Sequence, residues 1–331
     1  MCTAISSRTR TRIQVRSAAG SLAVVVALAA LSACSTSSAS SGADKTTKSA
    51  GEASGKGGVK LRVVAAENFW GSIAQQLGGD YADVKSVIDN PDADPHDYEP
   101  TAADGRTVAS AQYTIVNGIG YDAWADKLLS ANPGSGRTDL KVGDLVGVKP
   151  GGNPHRWYSP DDVHKVVEKV AADYKKLDPA DAAYFDAQKK RYAGQTLAPY
   201  DKLVADIKAK YANTPIGASE SIVTPLAEGL GLKMLTPESF LDAISEGSDP
   251  TAKDKSAIDQ QIKNKQIKVY VYNSQNSTPD VAAQVKEAKA QGIPVATVTE
   301  TLTPAGASFQ DWQVRQLQGI EQALAQATGK K

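Results

Sequence analysis

The chain has 331 residues, is 41% hydrophobic and 22% charged, and its 37 basic and 37 acidic residues balance to a formal net charge of zero. That length can bury two separate cores, and the composition is that of an ordinary globular protein. With no basic excess, the chain lacks the electrostatic footprint of a nucleic-acid binder, and no nucleic-acid partner is expected.

Four arginines, Arg8, Arg10, Arg12 and Arg16, precede a short apolar run, Leu22 to Ala30. This is the positive region and short hydrophobic region of a signal peptide, too short to span a bilayer comfortably. It ends in Leu31-Ser32-Ala33-Cys34, small residues with a cysteine at the cut, which resembles a bacterial lipoprotein signal. Residues 1–33 are then the signal peptide. Cys34 becomes the lipidated N-terminus and anchors the protein to the cell membrane on its extracytoplasmic side. The mature chain keeps 33 basic and 37 acidic residues, a net of −4. Cys2 leaves with the signal, so an internal disulfide is excluded. Residues 34–58 are mainly Ser, Gly, Ala, Thr and Lys, a composition that cannot bury enough surface to fold, and they read as a flexible tether.

Folding is expected from residue 59. A strand over 60–66 is followed by a helix over 68–77, stopped by Gly78-Gly79. A second strand covers 84–88, then come a helix over 101–111, a buried-type strand over 113–117, a helix over 121–130 and a strand over 140–148. Ser159 as N-cap with Pro160 at the first helical position starts another helix, with Val163, Val166, Val167 and Val170 on one face. Residues 179–212 form a long helical region. Leu197, Tyr200, Val204, Ile207 and Tyr211 make its apolar stripe, and Pro199 kinks or divides it.

The same alternation returns afterwards. A strand-like 215–219 leads into Glu220 and a helix closed by Gly231. A helix over 251–265, a strand over 269–272, a helix opened by Thr278-Pro279, a strand over 294–298 and a final helix over 309–327 follow. Strands alternating with helices through short connections imply parallel α/β layers. The expected fold is α/β with two lobes, each a parallel sheet flanked by helices, joined by a long rigid helical segment. The lobes are assigned to 59–178 and 213–331 and the connecting helix to 179–212.

The chain has three histidines. Two of them follow a proline in a loop, in Asp94-Pro95-His96-Asp97-Tyr98-Glu99-Pro100-Thr101 and in Asn153-Pro154-His155-Arg156-Trp157. Proline fixes the backbone and removes a donor, so such loops hold a side chain without joining a sheet. His96 also follows the end of a strand, where ligands gather in parallel sheets. His96 and His155 are therefore read as two ligands of one divalent metal. His164 stands one step off its helix's apolar stripe and is expected to face solvent or the stripe's edge.

The two Pro-His motifs, together with Val116-Asn117-Gly118-Ile119-Gly120-Tyr121-Asp122-Ala123-Trp124, resemble the solute-binding proteins of metal ABC importers, the zinc/manganese family. The resemblance spans 59–328. It implies that Glu220 is the third ligand and Glu300 the fourth, at a position where the family usually has aspartate, with Asp311 as a competing acid. It implies two lobes closing on a divalent metal as transported cargo, Mn(II) or Zn(II), a permease partner, and a monomer. Asp94, Asp97 and Glu99 stand where they would orient His96 or remain as solvated loop charges, and Trp157 is expected in the core or lining the cleft.

Two imidazoles and two carboxylates make a mixed N/O donor set that suits Mn(II), Fe(II) or Zn(II) and disfavours soft Cu(I). An adhesion-type lipoprotein with a vestigial site is the alternative. A metallohydrolase is the weaker one, because it needs an open coordination position and a general base. The sequence has no HExxH, no GxSxG and no cysteine nucleophile. No enzymatic activity is expected.

Overall fold

The computed structural model describes residues 59–330 except Asp92, Asp94, His96 and Asp97. The expected signal peptide, Cys34, the tether over 34–58 and the side chain of His96 lie outside the described residues.

The first half builds β1 (Leu61–Glu67), α1 (Asn68–Gly78), β2 (Ala82–Ile88), α2 (Ala102–Ser110), β3 (Tyr113–Val116), α3 (Ala123–Ala131), β4 (Thr138–Lys141) and α4 (Val142–Val146). Its strands form one parallel sheet in the order β2-β1-β3-β4, with Val63 beside both Val84 and Tyr113, and Ile115 beside Leu140. β1 and β3 are almost wholly buried. Their largely apolar sequences suit strands covered on both faces.

Helices α5 (Pro160–Leu177), α6 (Ala182–Arg191) and α7 (Ala198–Tyr211) then lead to β5 (Pro215–Ala218). The second half continues through α8 (Val223–Gly229), β6 (Lys233–Met234), α9 (Glu238–Ser245), α10 (Ala252–Lys263), β7 (Val269–Asn273), α11 (Pro279–Ala290), β8 (Val295–Val298) and α12 (Phe309–Thr328). Its sheet is again parallel, ordered β6-β5-β7-β8, with Ile216 beside Val269 and Tyr270 beside Val295. The two-lobed α/β fold is the expected one. Helix α12 returns across α7 and reaches α1, so a single apolar core runs through both sheets.

In both sheets the chain lays its second strand on one side of the first and its third on the other. The loops leaving the first and third strands therefore part at the carboxyl edge, and the crevice between them is where such sheets bind ligands. Residues just beyond β1, β3, β5, β7 and β8 all come to such edges.

The expected helix caps at Ser159 and Thr278 form. Their hydroxyls, and that of Ser308, accept from backbone N–H groups three residues on, and Thr101 forms a capping box with Asp104. One expectation needs correction. The strand over 140–148 ends at Lys141 and turns into α4, and Gly147 takes a left-handed conformation (φ 78°) that closes that short helix. The helical region is divided at Pro199 as expected: Pro199 lies in the first turn of α7, after a π-helical turn over Tyr192–Thr196 where Leu197 N–H reaches back to the Tyr192 carbonyl at 2.8 Å. A wider turn here relieves the clash a proline ring makes with the carbonyl four residues earlier. Helix α9 was not anticipated, although Pro237 at its start is a conventional signal.

Candidate metal centre

His155 stands just before a single 3₁₀ turn, Arg156–Tyr158, that leads to α5. Its neighbour Trp157 is fully buried and stacks on Phe69 with ring centroids 4.0 Å apart. The His155 ring meets the edge of Trp157 at 5.2 Å and Tyr121 at 6.0 Å. This aromatic wall removes the imidazole from water, and burial lowers its pKa to about 4. Asn153 Oδ1 accepts from the backbone N–H of His155 and lies 3.0 Å from ring Nδ1. An acceptor there puts the ring proton on Nδ1 and the lone pair on Nε2. His155 is thus a neutral imidazole with its unprotonated Nε2 3.4 Å from Glu300 Oε1. Because the ring is neutral, that contact is not an ion pair.

Glu220 follows β5 and is 1% exposed. Asn276 Nδ2 donates to its Oε2 at 2.8 Å, and the Asn273 amide lies close by. Burial and the neighbouring Glu300 carboxylate both raise its pKa. Glu300 follows β8 and is held from several sides. Tyr121 donates its hydroxyl to Oε1 and Asn273 Nδ2 donates to Oε2, each at 3.0 Å. Gln275 Oε1 accepts from the backbone N–H of Glu300 and of Thr301.

Further bonds tie the two halves around these groups. Asn153 Nδ2 donates to Ser221 O at 2.7 Å, and Tyr158 donates to Thr299 O at 2.8 Å. Residues flanking His96 are anchored beside the same place. Thr301 Oγ1 donates to Pro91 O at 3.3 Å, and Trp124 Nε1 donates to Pro95 O at 3.0 Å.

His155, Glu220 and Glu300 therefore gather in one buried region, with Pro91 held at Thr301, next to Glu300. Among the described residues no three acidic, His or Cys side chains already close round a point as a metal shell would. The amide and phenol donors hold the two carboxylates in place instead. Asp311 lies apart, exposed in the first turn of α12 and bonded to Ser308 Oγ at 2.6 Å. Glu99 is exposed, and Asp94 and Asp97 lie outside the described residues. His164 is half-exposed and pairs with Asp201 at 2.8 Å. Sequence reasoning missed Asn273 and Asn276. Their signal was an amide-rich run, Asn273-Ser-Gln-Asn276, directly after a buried strand.

Comparisons with known proteins agree with this architecture. The iron-binding protein YfeA of Yersinia pestis is 29% identical over 188 residues, covering 53% of this chain and 58% of that protein. The manganese ABC transporter substrate-binding lipoprotein PsaA of Streptococcus mitis is 27% identical, covering 50% and 57%. The zinc-binding lipoprotein AdcA of Streptococcus pneumoniae is 24% identical, covering 81% and 56%. The chain thus spans under two thirds of the length of the curated relatives it matches. The solved Mn-bound periplasmic metal binding protein from candidatus Liberibacter asiaticus shares the fold, with a TM-score of 0.65, 22% identity, and coverage of 80% of this chain and all of that one. The family model of the zinc-uptake complex component A, periplasmic (ZnuA) matches residues 63–323, most of the chain, and the protein belongs to that family.

Proposed function

We propose that the protein captures a divalent transition metal, Mn(II) or Zn(II), between its two halves and delivers it to the permease of an ABC importer. His155, Glu220 and Glu300, joined by His96, are the proposed ligands. Cys34 is the proposed lipid anchor, holding the protein outside the cytoplasmic membrane as a monomer. The role is binding and hand-over, not catalysis. The names of relatives, spanning iron, manganese and zinc, support a transition-metal cargo.

The observation that carries this reading is the convergence of two buried carboxylates, Glu220 and Glu300, with a neutral imidazole whose Nε2 lies 3.4 Å from Glu300. Two buried carboxylates are costly together, and a divalent cation offsets both charges. Ligation requires a neutral imidazole and a deprotonated carboxylate, so binding displaces the proton that the raised pKa of Glu220 favours. The donor set suits Mn(II), Fe(II) and Zn(II) alike, and by intrinsic affinity Zn(II) binds more tightly than Mn(II).

The test is elemental analysis of protein purified without chelator, followed by titration calorimetry with Mn(II) and Zn(II). One ion per chain is expected. His155→Ala and Glu220→Ala lose more than the roughly 10–100-fold expected when an orienting partner is removed. A wild-type chain that takes up no ion, or variants that bind as it does, would overturn the assignment.

A further inference from the structure

Glu67 ends β1, paired with Ile88, and is fully buried. Among the described residues no side-chain donor reaches either carboxyl oxygen. A buried carboxylate in that condition is untenable, so the group must be the neutral acid and must find an acceptor for its own proton. The acceptor beside it is Asp122, itself 2% exposed. Asp122 already accepts from the backbone N–H of Asn117 and of Gly118, each at 2.7 Å. Burial raises the pKa of Asp122 to about 6 even with those two bonds pulling it down, and burial together with the Asp122 charge raises Glu67 well above the carboxylate range, so Glu67 is the partner that keeps the proton.

The turn that Asp122 closes is strained. Gly118, Ile119 and Gly120 have successive φ values of 75°, 64° and 96°. Isoleucine in the left-handed region is a costly conformer that persists only where its surroundings over-determine it. The turn also reaches both halves of the candidate centre. Asn117 accepts from Trp70 Nε1 at 3.1 Å and donates to Pro154 O at 2.9 Å, one residue before His155. Tyr121 donates to Glu300 across the halves.

We propose that Glu67 is a positioning residue for the metal centre: it donates a hydrogen bond to Asp122 that locks the 117–122 turn, and the locked turn sets His155 and Glu300. The inference rests on the metal-capture reading. It assigns to a residue that touches neither ligand the work of aligning one from each half.

The test uses the full chain with Glu67→Gln, which keeps a donor, and Glu67→Leu, which keeps the bulk without one. Zn(II) titration should give Glu67→Gln within about threefold of wild type and Glu67→Leu about tenfold weaker or worse. Combining Glu67→Leu with Tyr121→Phe should cost less than the sum of the two, because both act through one turn. Amide exchange at Asn117 and Gly118 should speed up in Glu67→Leu and stay unchanged in Glu67→Gln, a readout that needs no metal. Wild-type binding with Glu67→Leu equal to it would overturn the proposal, as would Glu67→Gln as weak as Glu67→Leu. Failure of the wild type to bind would instead sink the capture reading, with amide exchange still judging the lock. Should Glu67→Leu not fold, Asp122→Asn replaces it, giving up one acceptor at constant volume, with the same tenfold loss expected.

Discussion

The two halves share a strand order but furnish their carboxyl edges with different materials. In the first half, the loops after β1 and β3 and the His155 turn are packed with rings. Phe69, Trp157 and Tyr121 surround a neutral imidazole. In the second half, the end of β7 and the loop after it carry amides: Asn273 and Asn276 donate to two buried carboxylates, and Gln275 accepts from the Glu300 backbone N–H. The difference follows from the groups being held. An imidazole is kept neutral by apolar surroundings, which disfavour its cation. A carboxylate needs donors to remain an anion once buried. One fold thus prepares a nitrogen and two oxygens by opposite means.

The sharpest way to break the aromatic half is Trp157→Ala. Removing a fully buried indole costs about 3–5 kcal/mol of stability, measured by denaturant unfolding. It also hydrates His155, whose pKa rises from about 4 toward its ordinary value. Metal binding then weakens at mildly acidic pH more than at neutral pH, because protons compete for the exposed ring. If unfolding shifts but the acid-side binding profile does not, the aromatic wall packs the lobe without tuning the ligand.

A smaller effect tests the amide half. Asn276→Leu leaves the fold alone but takes the donor from Glu220 Oε2. The carboxylate loses its orientation, and Zn(II) affinity falls by roughly 10–100-fold, with little change in thermal stability. Unchanged affinity in calorimetry would mean that Asn276 serves the Ile244 carbonyl, its other partner at 3.1 Å, and not the ligand.

How much of this was legible follows from the same contrast. The imidazole's place could be read because proline punctuates the sequence and local rules fix its loop. The helix starts at Ser159 and Thr278 were legible for a like reason, since cap and first turn are neighbours in the chain. The convergence of Glu220 and Glu300 was not readable from spacing, since 80 residues separate them and only the resemblance paired them. The amide donors after β7 and the carboxyl pair of Glu67 and Asp122 were missed because they are properties of edges that meet only after folding. Short α4 and the π-helical turn before Pro199 depend on local backbone relief that residue patterns register weakly.

The smallest expected effect concerns stability without metal. Glu220 has its pKa raised by burial and then by Glu300, so the folded chain holds a proton that the unfolded chain gives up in the ordinary carboxylate range. Such a group contributes stability at low pH that is lost as pH rises through the raised value. His155 acts oppositely: its pKa is depressed to about 4, and its contribution grows as pH rises toward the ordinary imidazole value. Glu220→Gln keeps the shape and removes only the first of these. The metal-free variant should therefore match the wild type in acid and melt roughly 2–4 °C higher at pH 8, the shift that about 1 kcal/mol produces at this size. Scanning calorimetry at both pH values in the presence of chelator checks it. A variant less stable than wild type at pH 8 would mean that the Glu220 anion is already compensated within the protein, and the electrostatic reason for a cation to bind there would be gone.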